Sequence, residues 1–248
     1  MRVLLLGGTT EASQLAQALH SARIETVFSY AGRTNAPIAQ PVDVRIGGFG
    51  GADGLATYLK NERISHVVDA THPFANTMGQ NAYRACSTHG TPLLRLARPA
   101  WRAQADDKWI HVPDITGARD ALPADPCRVF LAIGRMHVDL FAARPEHHYL
   151  LRLVDAPQTQ ITLPDHHVTV ARGPFNVAED IALMQEHRIT HVIAKNAGGS
   201  GAVAKIDAAR ALGLQVVMID RPLRPDIAET ANIETVLAWL NHDAERGV

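Results

Sequence analysis

Residues 2–20, RVLLLGGTTEASQLAQALH, pass from a short apolar run through Gly7-Gly8-Thr9-Thr10 into a stretch with helical spacing. Arg2 to Leu6 reads as a strand, and Ala12, Leu15, Ala16 and Leu19 fall on one face of a helix over about 11–20. A strand that turns straight into a helix at two glycines opens a parallel sheet with helical crossovers. The same alternation continues outward from this point. Strands are expected at 26–30, 42–46, 66–70 and 93–96, with helices over 53–60 and through 82–86. This half closes at Arg98-Pro99.

Beyond residue 100 the pattern is similar but more interrupted. Strands are expected at 109–112, 128–133, 149–154, 168–171, 191–194 and 215–219, and helices at 176–187, 202–212 and 233–241. The polar, proline-containing stretch 155–167 reads as a surface loop. One stretch echoes another. Residues 63–99 and 188–222 both run Arg-Ile-small-His-Val, strand, polar loop, alanine-rich helix, apolar strand, Arg-Pro. Similar βαβ physics alone would produce such a likeness, and so would a repeat. Either way the expected fold is α/β, with two Rossmann-like lobes of mainly parallel sheet and a cleft between them. The lobes are expected at 1–99 and 100–248, with the C-terminal helix free to pack back on the first.

The formal net charge of −1 gives no global attraction for nucleic acid or an anionic membrane, so any anionic ligand must be held by local cations. The two cysteines, Cys86 and Cys127, have no metal-ligand spacing and read as reduced thiols. The chain opens directly on an apolar strand rather than on a signal peptide, and no apolar run is long enough to span a bilayer. A soluble, cytoplasmic protein is expected.

Gly7-Gly8-Thr9-Thr10 stands where a mononucleotide-binding turn belongs, with a helix N-terminus ready for a pyrophosphate. The pattern departs from GxGxxG, and a turn that merely packs strand on helix explains it as well. The end of the second strand adds weight. About twenty residues past the glycines, dinucleotide folds place an acid for the ribose hydroxyls. This chain has Ser29-Tyr30-Ala31-Gly32-Arg33-Thr34 instead. Hydroxyl, guanidinium and hydroxyl suit a 2′-phosphate, so NADPH is expected over NADH, with Gly8, Thr9, Thr10, Ser29, Gly32, Arg33 and Thr34 around it.

Two further loops follow strands. Thr71-His72-Pro73-Phe74 offers a histidine as proton donor, or one that only fixes the turn before proline. Lys195-Asn196-Ala197-Gly198-Gly199-Ser200-Gly201 could cradle an anion and present Lys195 to a substrate, or be a plain flexible turn. It is not a P-loop, because no Lys-Ser or Lys-Thr follows the last glycine. Arg172 precedes Gly173-Pro174-Phe175, and Arg95, Arg98, Arg102, Arg135, Arg152 and Arg221 also lie in or just past expected strands. Their concentration there suggests a site for a polyanion. Thirteen histidines include no HExxH, and adjacent pairs such as His147-His148 point apart in extended chain, so no metal is expected.

The residues so assembled resemble the precorrin-6A reductase family, including its cobalt-precorrin counterpart. The motifs are GGTTEA at 7–12, SYAGRT at 29–34, GGFGG at 47–51, DATHPFA at 69–75, LARPAW at 96–101 and FLAIGR at 130–135. ARGPF at 171–175, KNAGGSGAVAKIDAAR at 195–210 and VVMIDRP at 216–222 complete the series. The resemblance implies two Rossmann-like lobes holding NADPH against a ring-contracted tetrapyrrole that carries many carboxylates. It implies hydride delivery to a ring carbon with a proton added nearby, giving precorrin-6B in cobalamin biosynthesis; by position, Lys195 and His72 are the leading candidates for the proton. Arg172, Asn196, Gly198 and Ser200 would face the substrate. Such a protein needs no membrane or nucleic acid and makes at most transient contact with neighbouring enzymes of its pathway.

A short-chain dehydrogenase would need Tyr-x-x-x-Lys, but Tyr30, Tyr58, Tyr83 and Tyr149 are followed at the fourth place by Thr34, Glu62, Ser87 and Leu153. A non-catalytic NADP-sensing or tetrapyrrole-binding module would use the same loops without turnover, and would tolerate loss of Lys195 and His72.

Overall fold

Every strand pairing among the described residues is parallel, as the alternation of apolar runs and helices requires. The computed structural model describes residues 1–32 and 37–245, and the chain divides into two units. The first comprises Met1–Pro99 and the chain from Leu223; the second is Ala100–Pro222. Arg33 and Thr34, two of the expected cofactor residues, lie outside the described residues.

The first unit begins with β1 (Arg2–Leu6), α1 (Thr10–Ser21), β2 (Glu25–Tyr30), β3 (Asp43–Ile46) and α2 (Gly51–Asn61). It continues through β4 (His66–Asp69), α3 (Asn76–His89) and β5 (Leu93–Leu96). The second holds β6 (Lys108–Val112), α4 (Ile115–Asp120), β7 (Arg128–Ala132), a 3₁₀ helix (Arg135–Ala143), β8 (His148–Leu153) and β9 (His166–Val170). α5 (Val177–Glu186), β10 (His191–Lys195), α6 (Ala204–Ala211) and β11 (Gln215–Ile219) complete it. The chain then returns to the first unit with β12 (Glu229–Thr230) and α7 (Ile233–Glu245).

Strand order is β12-β5-β4-β1-β2-β3 in the first sheet and β6-β11-β10-β7-β8-β9 in the second. Each sheet therefore reverses direction once, between β1 and β4 and between β7 and β10. Those are the topological switch points, where open parallel sheets place ligands beyond the carboxyl ends of the strands.

Both faces of the first sheet are covered. Val3 and Leu5 point into a core with Leu15 and Leu19 of α1, while Leu4 and Leu6 meet Leu55 and Leu59 of α2 and Ala82 and Ala85 of α3. This double burial is why β1 is apolar without alternation. The expected second lobe, 100–248, ends at Pro222, and its C-terminal helix takes the option left open for it, of packing on the first unit. The segment from Leu223 belongs to the first unit, because β12 pairs with β5 and Val236 and Leu240 of α7 are buried beside α1's leucines.

The recurring Arg-Ile of the sequence echo has a local cause. Arg63 and Arg188 both adopt left-handed backbone, at φ 52° and 51°. Each closes a Schellman turn: Ile64 N–H reaches Leu59 O at 2.9 Å and Ile189 N–H reaches Met184 O at 2.8 Å. The isoleucine that follows is buried and pins the helix end to its sheet. Arg23-Ile24 ends α1 in the same way, with φ 57° at Arg23 and Ile24 N–H 3.0 Å from Leu19 O.

Some elements were not anticipated. α4 is only six residues long, initiated by Asp114, whose side chain accepts from Gly117 N–H. The 3₁₀ helix follows FLAIGR, and β9 starts at His166, inside the stretch expected to be loop.

Candidate functional site

At the first switch point the turn after β1 is shaped by backbone and cap together. A Cβ on Gly7 would lie 2.1 Å from the Phe28 ring, so only glycine fits there. Gly8 sits at φ 114° with nothing within 4 Å of where a Cβ would stand, which leaves open space above its backbone. Thr9 is the N-cap of α1: its Oγ1 accepts from Ala12 N–H at 3.1 Å and donates to Ala70 O at 2.8 Å. That one hydroxyl ties the turn after β1 to the turn after β4, across the switch point. Thr10 is exposed in the first turn of α1. Glu11 follows it, and its carboxylate is neutralised by Arg98 at 2.7 Å, which keeps the helix N-terminus favourable to an anion.

The DATHPFA loop is built around Asp69. Its Oδ1 accepts from Thr71 N–H at 3.1 Å and from Thr71 Oγ1 at 2.6 Å. Its Oδ2 faces Arg224 Nη1 at 3.5 Å and Arg95 Nε at 3.9 Å. Arg224 also donates to Thr71 Oγ1, His72 O and Ala75 O at 3.2, 3.5 and 3.0 Å. Burial lowers the pKa of Arg224, while Asp69 opposes that shift. His72 Nδ1 accepts from Phe74 N–H at 3.2 Å, which fixes the ring's orientation in its turn.

At the end of β2, Ser29 is buried and Gly32 is exposed at φ 74°. Ser29 Oγ accepts from Arg45 Nη1 at 2.7 Å. Arg45 was not singled out in the sequence, because the partner that marks it lies on the neighbouring strand.

At the second switch point β10 ends at Lys195, half-buried, and the glycine loop follows. Gly198 and Gly199 both take left-handed backbone, at φ 69° and 66°. Asn196 is buried, and its amide is engaged: Oδ1 accepts from Trp101 N–H at 2.8 Å and Nδ2 donates to Trp101 O at 3.0 Å. Trp101 Nε1 returns to Gly199 O at 2.8 Å, and Arg221 donates to the carbonyls of Asn196 and Ala197, each at 3.1 Å. Lys205 Nζ lies 5.0 Å over the Trp101 ring. The motifs that carry Trp101 and Arg221 thus clasp the loop in a fixed shape, with Ser200 exposed at its crest.

Most of the arginines grouped at strand ends serve internal partners rather than open solvent. Arg95 pairs with Glu229, Arg98 with Glu11, Arg152 with the buried Asp180, and Arg135 donates to Thr159. Strand ends collect arginines partly because buried carboxylates and loop carbonyls there need donors. Arg172 remains substantially exposed, 3.7 Å from Asp155.

The thiols are unreactive: burial pushes Cys86 up to about 12 and Cys127 up to about 11. His148 and His167, at the amino ends of β8 and β9, meet His187 at the carboxyl end of α5. Desolvation, then the neighbouring His167, holds His187 below the usual imidazole range. Among the described residues no three His, Cys, Asp or Glu side chains are arranged to hold a metal ion, and no helix is long and apolar enough to cross a membrane.

Two parallel sheets with glycine-bearing loops at their switch points define an α/β protein of Rossmann-like design. More particularly, the chain belongs to the precorrin-6x reductase family CbiJ/CobK, whose model matches residues 2–241. It is 56% identical to a precorrin-6A reductase of Rhodobacter capsulatus over 249 aligned residues, covering 100% of this chain and 99% of that one. A precorrin-6A reductase of a Sinorhizobium species is 43% identical, over 97% of this chain and 93% of its own. A solved structure of CobK precorrin-6A reductase superposes with a TM-score of 0.95 at 56% identity, covering 98% of this chain and 96% of the other.

Proposed function

We propose that this chain reduces precorrin-6A to precorrin-6B in cobalamin biosynthesis, using NADPH. The observation that carries the reading is the first switch point, where Thr9 joins a glycine turn and the N-terminus of α1 to the His72 loop, in a chain of this family. The relatives at 56% and 43% identity bear the name precorrin-6A reductase, which favours the metal-free macrocycle over its cobalt form.

The residues present fit the cofactor. The open space over Gly8 admits a pyrophosphate, and the first N–H groups of α1 at Thr10 and Glu11 face that end of the helix. Ser29, Gly32, Arg33 and Thr34 would hold the adenosine end, with Arg33 reading the 2′-phosphate. When bound, NADPH supplies a hydride from its nicotinamide. The chain's part is to hold the macrocycle within reach and deliver one proton, so that product gains two hydrogens and NADPH becomes NADP⁺. Lys195 and His72 are the proton donors of choice. Gly198 and Ser200 would present the clasped loop to substrate, and Arg172 would meet one of its carboxylates. Asn196 acts at one remove, by holding the loop against Trp101. The reaction belongs in the cytoplasm, with only transient contact to neighbouring enzymes.

Anaerobic turnover tests this directly. Purified protein, NADPH and enzymatically prepared precorrin-6A should give a product two mass units heavier, with stoichiometric NADPH loss, the count that follows from one hydride plus one proton (about two hydrogens). Absence of turnover with both the metal-free and the cobalt-bearing substrate would defeat the proposal. A second expectation concerns selectivity: Arg33→Ala weakens NADPH binding about tenfold or more and leaves NADH nearly unchanged. Equal losses for the two nucleotides, in side-by-side titrations, would remove Arg33 from the 2′-phosphate.

A further inference from the structure

Arg45 carries a positive charge surrounded, among the described residues, by neutral partners. It lies opposite Ser29 in the parallel register of β2 and β3, one residue before β3 ends. Nη1 donates to Ser29 Oγ at 2.7 Å and to Gly47 O at 3.0 Å, and Nη2 donates to Gly48 O at 3.1 Å. The guanidinium carbon lies 3.8 Å over the Phe49 ring. Every one of these partners is neutral. Among the described residues Arg45 makes no pairing with a carboxylate.

A guanidinium has five N–H donors. Three are accounted for by the bonds above, which leaves Nε–H and one Nη2 hydrogen. With Gly47 O and Gly48 O taking the outer edge, the remaining two donors share the other edge and form a fork suited to two oxygens of one phosphate. Arg45 is only half-buried, and the glycine loop after it is open, since a Cβ at Gly47 or Gly48 would meet nothing within 4 Å.

Position in the sheet says which anion. In the order β4-β1-β2-β3 a dinucleotide with its pyrophosphate at α1 extends its adenosine ribose over the ends of β2 and β3. We infer that Arg45 is a specificity-determining residue of the reductase, its free edge taking the 2′-phosphate of NADPH. This rests on the NADPH reading above. The alternative role, a brace for the glycine loop alone, makes a different prediction, since a brace supports NADPH and NADH alike.

The test uses 2′,5′-ADP and 5′-AMP as probes in calorimetric titrations, with KM for NADPH and NADH measured alongside. Arg45→Ala should weaken 2′,5′-ADP by roughly ten- to a hundredfold, the range for hydrogen bonds to a charged group, and leave 5′-AMP almost unaffected. Arg45→Lys should recover part of the loss, as a point charge without the fork. Arg45→Gln keeps a donor for Gly48 O and reads the same ratio if the alanine variant fails to fold. Wild-type protein that does not prefer 2′,5′-ADP would overturn both this inference and the NADPH reading. Wild type that prefers it, with variants that keep the preference or lose both probes equally, would overturn the role of Arg45 alone.

Discussion

Lys195→Ala should lower kcat by about a hundredfold or more, the usual contribution of a positioned general acid, while NADPH binding changes little. Lys195 is the last residue of β10, at a switch point, and the backbone beyond it is held by Trp101 and Arg221. In the proposed role, a side chain on so fixed a base would protonate a bound ring without reorganisation of the loop. The loss should fall on kcat and kcat/KM together, as for an interaction made only in the transition state. A rise in KM alone would instead mark Lys195 as a substrate anchor. Lys195→Arg separates charge from proton transfer, because a guanidinium keeps the charge and does not release its proton. Single-turnover hydride transfer, measured beside nucleotide titration, gives both quantities. Normal rates in Lys195→Ala would leave the residue structural and shift the proton to His72.

Asp69→Ala should destabilise the first unit by about 3–5 kcal/mol, the cost of removing one partner from a buried ionic group. The carboxylate is 1% exposed, and the arginines facing it are 8% and 9% exposed, so the cations left behind gain little water, and only Arg95 keeps a second carboxylate, that of Glu229. Nε of Arg224 and Nε of Arg95 already lack a hydrogen-bond partner, and Asp69 is the charge they face. Thr71 would lose two hydrogen bonds at the same stroke. The midpoint of urea denaturation measures the effect. Asp69→Asn should recover part of it, by accepting from Thr71 without balancing the arginines. A loss below about 1 kcal/mol for the alanine variant would mean that water reaches this group, contrary to its burial.

Much of the fold was legible because both sheets are covered on two faces, which writes their strands as unbroken apolar runs. Val3 to Leu6 and Val216 to Ile219 announce themselves in this way. β12 did not, since two polar residues at a sheet edge, Glu229 and Thr230, carry no periodicity. Its place depends on pairing with Leu96 and Arg95, more than a hundred residues earlier. The glycine turns of the site were readable from their position after strands. Their supports were not: Asp69 with Arg224, Ser29 with Arg45 and Asn196 with Trp101 join residues far apart in the chain. The arginines misled for the same reason. A sequence shows a cation near a strand end but not the carboxylate that folding brings to it.

The late return of the chain to its first unit bears on how the protein emerges from the ribosome. When residue 99 has been made, that unit still lacks β12 and the face of α7 that carries Val236 and Leu240. At ordinary elongation rates the missing pieces arrive on the order of ten seconds later. Throughout that interval β5 is an open edge and one side of the α1 core is uncovered, a state that invites pairing with another nascent chain. The second unit, continuous from 100 to 222, is complete before the first. The half that opens the sequence is therefore the last to finish folding, and a ribosome that stops between codons 222 and 229 would release a chain with a complete second sheet and an unfinished first.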